Sequence, residues 1–489
     1  MKFRNQLSNK KGFMLAGLLV FASIAILVIS VIMDGAISNI KLSRRLYDRE
    51  KAFHLAEAGN EYYRWHLAHA SLDFKDGTNV SGPYVHNVKD VLGNDFGSFS
   101  LDITPPSVGS TIVKVKSTGL VPLSDTVRTV ETILAIPSLA KYAVVANDVM
   151  RFGQGTEVFG LLHSNNGIHF DGIAHNVVTS AVATYNDPDH TDGSLEFGVH
   201  THVNIPPFTG ITEAFRSLEG PPNPIQARND VFVTGRQFPV PAVDFTGMTA
   251  NLASLKTQAT TSGKYFGTSG GNNKGYYVLL KNNNTFDLYK VKSVIVRSDC
   301  DTTSYPSWSI ENKTFVQNYP IPANGIIFFE DDVWVDGHIN HSRVTIASGR
   351  FPEVIANYSN ITVNKNLLYT NYNGDDVIAL ISQNNINIGL VSDNNISIDA
   401  ALVAQNGRVG RYNYTAACGT EYRRNSVTLY GMIASKIRYG FSYSNSGVYS
   451  NGYLTRNINY DSNLLYGPPP SFPLTSSQYT TISWKEVSR

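Results

Sequence analysis

The sequence predicts a mainly β protein with one long N-terminal helix. That helix is followed by a small antiparallel sheet, and then by a right-handed parallel β-helix carrying an α/β insertion. Three observations lead there. Residues 13–70 contain no proline and pass from a continuous apolar run to a one-faced pattern. Residues 99–137 alternate between apolar and polar in three short runs. From residue 139 onward, short β-branched segments are divided by Gly and Asn. At 489 residues the chain exceeds one ordinary core, so several domains are expected. A net charge of +1, from 40 Lys+Arg and 39 Asp+Glu, offers no basic surface for a nucleic acid. With only 16% charged residues beside 26 Tyr and 39 Gly, the composition suits turn-rich β structure.

The helix comes first. Phe13–Met33 carries no charge, and its only hydroxyls are Ser23 and Ser30. Such a segment spans about 31 Å as a helix, the thickness of a bilayer's hydrocarbon core. Lys2, Arg4, Lys10 and Lys11 precede it, which places residues 1–12 in the cytoplasm and the bulk of the chain outside. A secretory signal would have an apolar region of about 7–15 residues ending in a small-x-small site. The run here is longer, and MDGAISNIKLSRR follows it instead. Beyond the run, Leu42, Leu46, Phe53, Ala56, Tyr63 and Leu67 recur on one helical face. One unbroken helix over 13–70 is therefore expected, its first half in lipid and its second on a soluble domain.

A short basic leader ending in Gly12, Phe13 after it, an apolar helix that continues amphipathically, and Ala56-Glu57-Ala58-Gly59 together resemble type IV prepilins. Nearest in kind are the PilX-type minor pilins and the large K-type pseudopilins. The resemblance covers the leader and the helix alone. It implies that a membrane prepilin peptidase cuts after Gly12 and leaves Phe13 as a methylated amino terminus. It also implies that Gly17 and Glu57 serve filament packing, and that the partners are other pilins, the peptidase, the assembly platform and membrane lipid. Most pilins carry a glutamate where this chain has Gly17, and that carboxylate pairs with a neighbour's terminal ammonium. Without the pairing, the subunit fits a filament tip better than a shaft. The alternative is that Gly17 is a small helix-packing residue.

The remaining chain divides by texture. Residues 71–138 form the small sheet, with a polar connection over 71–98 and strands at 99–105, 110–121 and 126–137. Residues 139–204 and 326–440 form two parts of the β-helix, with Asn166, Asn360, Asn384 and Asn394 at its corners. A β-sandwich is the rival architecture. Residues 205–325, rich in proline with one helical stretch and a hairpin at Asn282–Asn284, form the insertion. Residues 441–489 are expected as a loosely ordered tail.

Candidate chemistry is sparse. Asp187, Asp189 and Asp192 before Gly193, with Glu196 following, have a spacing that can converge on calcium, although it departs from the EF-hand rule and an acidic surface loop has the same composition. His163, His169, His175, His190, His200 and His202 form a scatter in which His200 and His202 share a strand face, an arrangement open to a metal, but with no second pair at ligand spacing the expectation is surface or corner histidines. Glu330, Asp331, Asp332, Asp336, His338, His341, Asp375 and Asp376 invite comparison with β-helical glycan-cleaving enzymes, but adjacent carboxylates on a strand face opposite ways. Cys300 and Cys418 form no CxxC, leaving either one long-range disulfide or two free thiols. The expectation is a non-enzymatic, membrane-inserted pilus or secretion-filament subunit. Its exposed Tyr and Asn suit recognition of a surface glycan. The alternative is an uncleaved surface adhesin or a glycan-active enzyme.

Overall fold

The computed structural model describes residues 10–189, 193–203, 219–245, 251–297, 300, 306–445 and 448–487. The chain divides into two units: Met1–Pro105 with Val113–Leu134 and Gln478–Arg489, and Pro106–Ile112 with Ala135–Ser477.

In the first unit, helix α1 runs Lys10–His69 without interruption, about 90 Å at 1.5 Å per residue. Its large side chains from Phe13 to Met33 are exposed on all sides. This stretch is long and apolar enough to cross a membrane, with a mean hydropathy of 2.9 over its best window. Further along, Ala52, Leu55, Ala56, Tyr63 and Leu67 are buried. They cover an antiparallel sheet of β1 (Tyr84–Lys89), β2 (Asp95–Thr104), β3 (Val113–Leu120) and β4 (Val127–Ala135). Leu42 and Leu46, expected on the same face, are exposed instead, because the buried stretch of the helix begins at Ala52.

The three alternating runs of the sequence become β2 to β4, while β1 lies in what reads as a polar connection. The chain's last strand, Thr480–Val487, joins the sheet beside β4. The expected loose tail is thus partly ordered, and charge helps hold it. Lys485 Nζ lies 3.1 Å from the buried carboxylate of Glu131, and Arg128 pairs with Glu486.

Small residues set how closely α1 approaches the sheet. A Cβ on Gly59 would lie 2.2 Å from Ser117 Oγ and 2.8 Å from Phe99 Cδ2. One on Gly119 would lie 1.9 Å from the backbone oxygen of Ala52. The Ala-Glu-Ala-Gly stretch is therefore a packing surface, with Ala56 and Gly59 turned to the sheet.

The second unit is a parallel β-helix built from three ladders. One ladder runs Lys264–Phe266, Ile326–Phe329, Arg343–Ser348, Val377–Ser382, then the C-terminal halves of Asn395–Ala404 and Arg423–Ser435. It continues through Val144–Ala146, Leu162–Ser164, Val178–Ser180 and Arg236–Gln237. The spatial order is thus not the order in sequence. The chain enters midway, builds one end, crosses to the other end and returns. It closes the stack where Ile433–Ser435 pairs with Val144–Ala146. Inside lies one apolar core, to which Ile168, Phe170, Ile346, Leu380, Leu402 and Ile433 belong.

Two expectations change here. The segment expected to project as an insertion is bonded into the stack. Tyr276–Leu280 pairs in parallel with Val333–Gly337, and helix α2 (Asn251–Thr261) packs Leu252 and Leu255 against Phe328 and Ala347. The hairpin at Asn282–Asn284 is present, extended by Ile310–Pro320. The supposed tail also contributes Val448–Tyr460, which sits between Arg423–Gly431 and Thr156–Phe159. At the corners, Asn side chains repeat from coil to coil. Asp332 Oδ1 accepts from Asn360 N at 2.7 Å, Asn360 Oδ1 from Asn385 Nδ2 at 3.3 Å, and Asn385 Oδ1 from Arg408 N at 2.9 Å.

Gly59→Leu or Gly119→Val should each lower stability by about 1–3 kcal/mol through overpacking. Gly17→Ala, with nothing within 4 Å of its added carbon and a better helix former in place, should not lower it. Urea unfolding of the three variants beside the parent chain checks this.

Candidate functional site

The predicted processing and packing residues all fall on α1. Phe13 is exposed, Gly17 stands in open space, and Glu57 is partly exposed with His54 Nδ1 at 3.4 Å. Gly12 lies in the helix's first turns.

Cys300 and Cys418 are joined in a disulfide. The bridge is buried with Leu390 and Tyr414 and closes a separation of 118 residues.

Four of the carboxylates that suggested glycan chemistry, Asp331, Asp332, Asp336 and Asp376, accept hydrogen bonds within the coils. Asp331 Oδ2 accepts from the backbone and hydroxyl of Ser269 at 2.8 and 2.7 Å, and its other oxygen meets Arg350. Asp332 caps the asparagine ladder, and burial pushes its carboxyl up. Asp336 accepts from Tyr277 Oη at 2.7 Å. Asp376 accepts from the amides of Ser342, Thr370 and Asn371.

A different group converges. Strand Ile168–Phe170 lies between Met150–Phe152 and Val199–His200, with His169 opposite both Arg151 and His200. Alternation sends Ile168, Phe170 and Val199 into the core, so His169 and His200 share the other side. His202, two residues on, follows His200. The hairpin Thr184–Asn186 with Leu195–Phe197, in which Tyr185 faces Glu196, contributes to the same group. His169, Glu196 and His200 have no exposure, and Asp187 and His202 have at most 4%.

Within this group His169 sits between two carboxylates. Its Nε2 is 2.8 Å from Asp171 Oδ2 and its Nδ1 is 2.8 Å from Asp187 Oδ2. His200 Nε2 lies 3.4 Å from that same Asp187 oxygen and 2.5 Å from Glu196 Oε2. His202 Nε2 lies 3.0 Å from Glu196 Oε1. Asp171 is fixed in turn, since Oδ1 accepts from His202 N at 2.8 Å and Thr201 Oγ1 at 3.2 Å. Burial alone would lower His169, but the flanking carboxylates outweigh it and raise it to about 9. Burial would raise Glu196, yet His200 and His202 bring it down to about 2. His202 is lowered by its burial.

Nitrogens of His169, His200 and His202 lie within 4.8 Å of one another, as do ligand atoms of Asp187, Glu196 and His200. Two of the three carboxylates expected to bind calcium lie within the described residues. Asp187 turns onto imidazoles, while Asp189 lies 3.2 Å from Arg151 and 2.9 Å from Arg438. His169 and Asp189 nonetheless remain within ligand distance of Asp187. Asp192 and His190 lie outside the described residues. His163 bonds Thr179 and Asn165, and His175 bonds Glu157, both away from this group. The signal available in the sequence was the His-x-His spacing at 200 and 202. Nothing in it gave the register that brings His169 alongside.

A cavity of about 840 Å³ adjoins the group, lined in part by Arg151, Asp171, Asp189, Arg438 and Arg456. Its four guanidinium groups are already engaged: Arg151 and Arg438 on Asp189, Arg456 on the backbone oxygens of Gln154 and Leu454, and Arg408 on Tyr443 Oη and the backbone oxygen of Arg411.

No protein-family model matches the chain, and a search of curated proteins finds no match. Among solved structures, the crystal structure of the competence-associated pilin ComZ from Thermus thermophilus aligns over 90% of this chain and 98% of its own. The identity is 12% and the TM-score 0.30, a superposition too loose to bear on function.

Removing the disulfide in a Cys300→Ser/Cys418→Ser chain should cost about 2–5 kcal/mol, because the loop it closes is long. Chemical denaturation of the oxidised parent and the variant measures the difference.

Proposed function

We propose that the chain is a non-enzymatic structural subunit of a type IV pilus or a related secretion filament, cut after Gly12 and anchored by Phe13–Met33. One observation carries this reading. A single helix is apolar and uncovered over its first part, then packs through Ala56 and Gly59 onto an antiparallel sheet. Such a helix can stand in lipid before assembly and bury the same surface against neighbouring helices afterwards. The basic leader puts residues 1–12 in the cytoplasm and the β-rich bulk outside, where the Cys300–Cys418 disulfide is chemically at home.

Gly17 supports a tip position. An unpaired buried charge costs several kcal/mol, so a shaft subunit without a carboxylate there leaves its neighbour's ammonium uncompensated. At a tip that demand falls away on one side. A non-catalytic role is supported by the engagement of Asp331, Asp332, Asp336 and Asp376 in holding turns and coils. The partners in this reading are other pilins, the prepilin peptidase and the assembly platform.

The mature amino terminus tests the reading. Coexpressed with the prepilin peptidase of its source, the membrane-associated chain should begin at Phe13 by intact mass, and a Gly12→Ala chain should retain Met1. Retention of Met1 by the parent chain under those conditions would contradict it.

A further inference from the structure

We propose that His169, His200 and His202 bind a transition-metal dication of the zinc class, with one carboxylate oxygen, from Asp187 or Glu196 beside His200, completing a tetrahedral shell.

The donor set selects the metal. Calcium and magnesium take oxygen ligands, whereas imidazole suits zinc and its first-row neighbours. Three imidazoles with one carboxylate oxygen form a mixed nitrogen–oxygen shell.

The spacing fits as well. Zinc–nitrogen and zinc–oxygen bonds near 2.0–2.1 Å put tetrahedral ligands about 3.3 Å apart. The contacts of 3.4 Å between His200 and Asp187 and 3.0 Å between His202 and Glu196 are edges of about that length.

The surroundings are those of a ligated imidazole. A metal-bound histidine normally gives its other ring nitrogen to a carboxylate or carbonyl, which fixes the ring. Asp171 does this for His169 through Nε2, and Asp171 is itself held by the His202 amide and the Thr201 hydroxyl. That leaves His169 Nδ1 facing Asp187 and His200. Charge points the same way. Asp171, Asp187 and Glu196 are three carboxylates at most 9% exposed, and the nearby guanidiniums of Arg151 and Arg438 are taken by Asp189. A dication among them adds to the charge compensation that the imidazoles supply.

The ligands come from two successive coils, at His169 and at His200 and His202, and from the hairpin that bears Glu196. A metal there would staple the hairpin to the β-helix, a structural site closed to substrate.

The test uses the full chain, untagged and in detergent, stripped with EDTA and then dialysed against Zn²⁺ or Co²⁺. One Zn²⁺ per chain is expected by elemental analysis, with tetrahedral Co²⁺ absorption and a rise in melting temperature on loading. His202→Gln and Glu196→Gln should each weaken binding at least tenfold, while His163→Gln, outside the group, should bind as the parent does. Should a substitution unfold the chain, X-ray absorption on the zinc-loaded parent decides: a shell with about three imidazole nitrogens supports the site, and an all-oxygen shell overturns it. The proposal also fails if the folded apo chain takes up no stoichiometric zinc or cobalt, or if folded variants bind as tightly as the parent.

Discussion

A peptide group taken out of water must find a hydrogen-bond partner, and the two units meet that constraint in opposite ways. In α1 each amide beyond the first turn is satisfied one turn back, so the helix can extend past its sheet and enter lipid alone. In the β-helix each coil is satisfied by the coils on either side, so no coil is stable by itself. The first kind of structure can be withdrawn from one partner and given to another. The second has to be completed within the chain.

Completion explains the threading of the β-helix. Because the chain enters midway, the strand Val144–Ala146 would face water on one side until Ile433–Ser435 arrives, nearly 290 residues later. The same demand recruits segments that look dispensable in the sequence. Val448–Tyr460 fills the gap between Arg423–Gly431 and Thr156–Phe159, and the hairpin at Asn282–Asn284 contributes a rung beside Val333–Gly337. At the corners, where strands end and amides are left over, Asp332, Asn360 and Asn385 supply side-chain acceptors. Carboxylates that resemble catalytic machinery in the sequence are acceptors for backbone and side-chain donors once the coils are stacked.

What could be read in advance follows from range. The long helix, its buried face from Phe53 to Leu67 and the strands β2 to β4 depend on local periodicity, and the sequence displays them. Asn-rich corners also pointed correctly to parallel coils. The fate of Leu42 and Leu46 was not local, since it depends on where the sheet begins. Nor was the placing of 205–325 and 441–489, whose strands alternate acceptably but reveal no partner. The histidine group lay further out of reach. His200 and His202 advertise a shared face, but His169 joins them only through a parallel register of one coil on the next, and Glu196 only through a hairpin. The cysteines were visible and their pairing was not.

In the proposed membrane-anchored subunit, one continuous helix is divided between two surroundings, lipid for Phe13–Met33 and the sheet for Ala52–Leu67. Spin labels placed singly along α1 of the full chain in lipid vesicles test it by collision with oxygen and with a water-soluble nickel complex. Labels from Met14 to Ile32 should all be reached by oxygen and shielded from nickel, whatever side of the helix they occupy. From Ala52 to Leu67, protection from both should recur with the helical repeat. Nickel access throughout Met14–Ile32, or a helical repeat of protection within that stretch, would contradict the account.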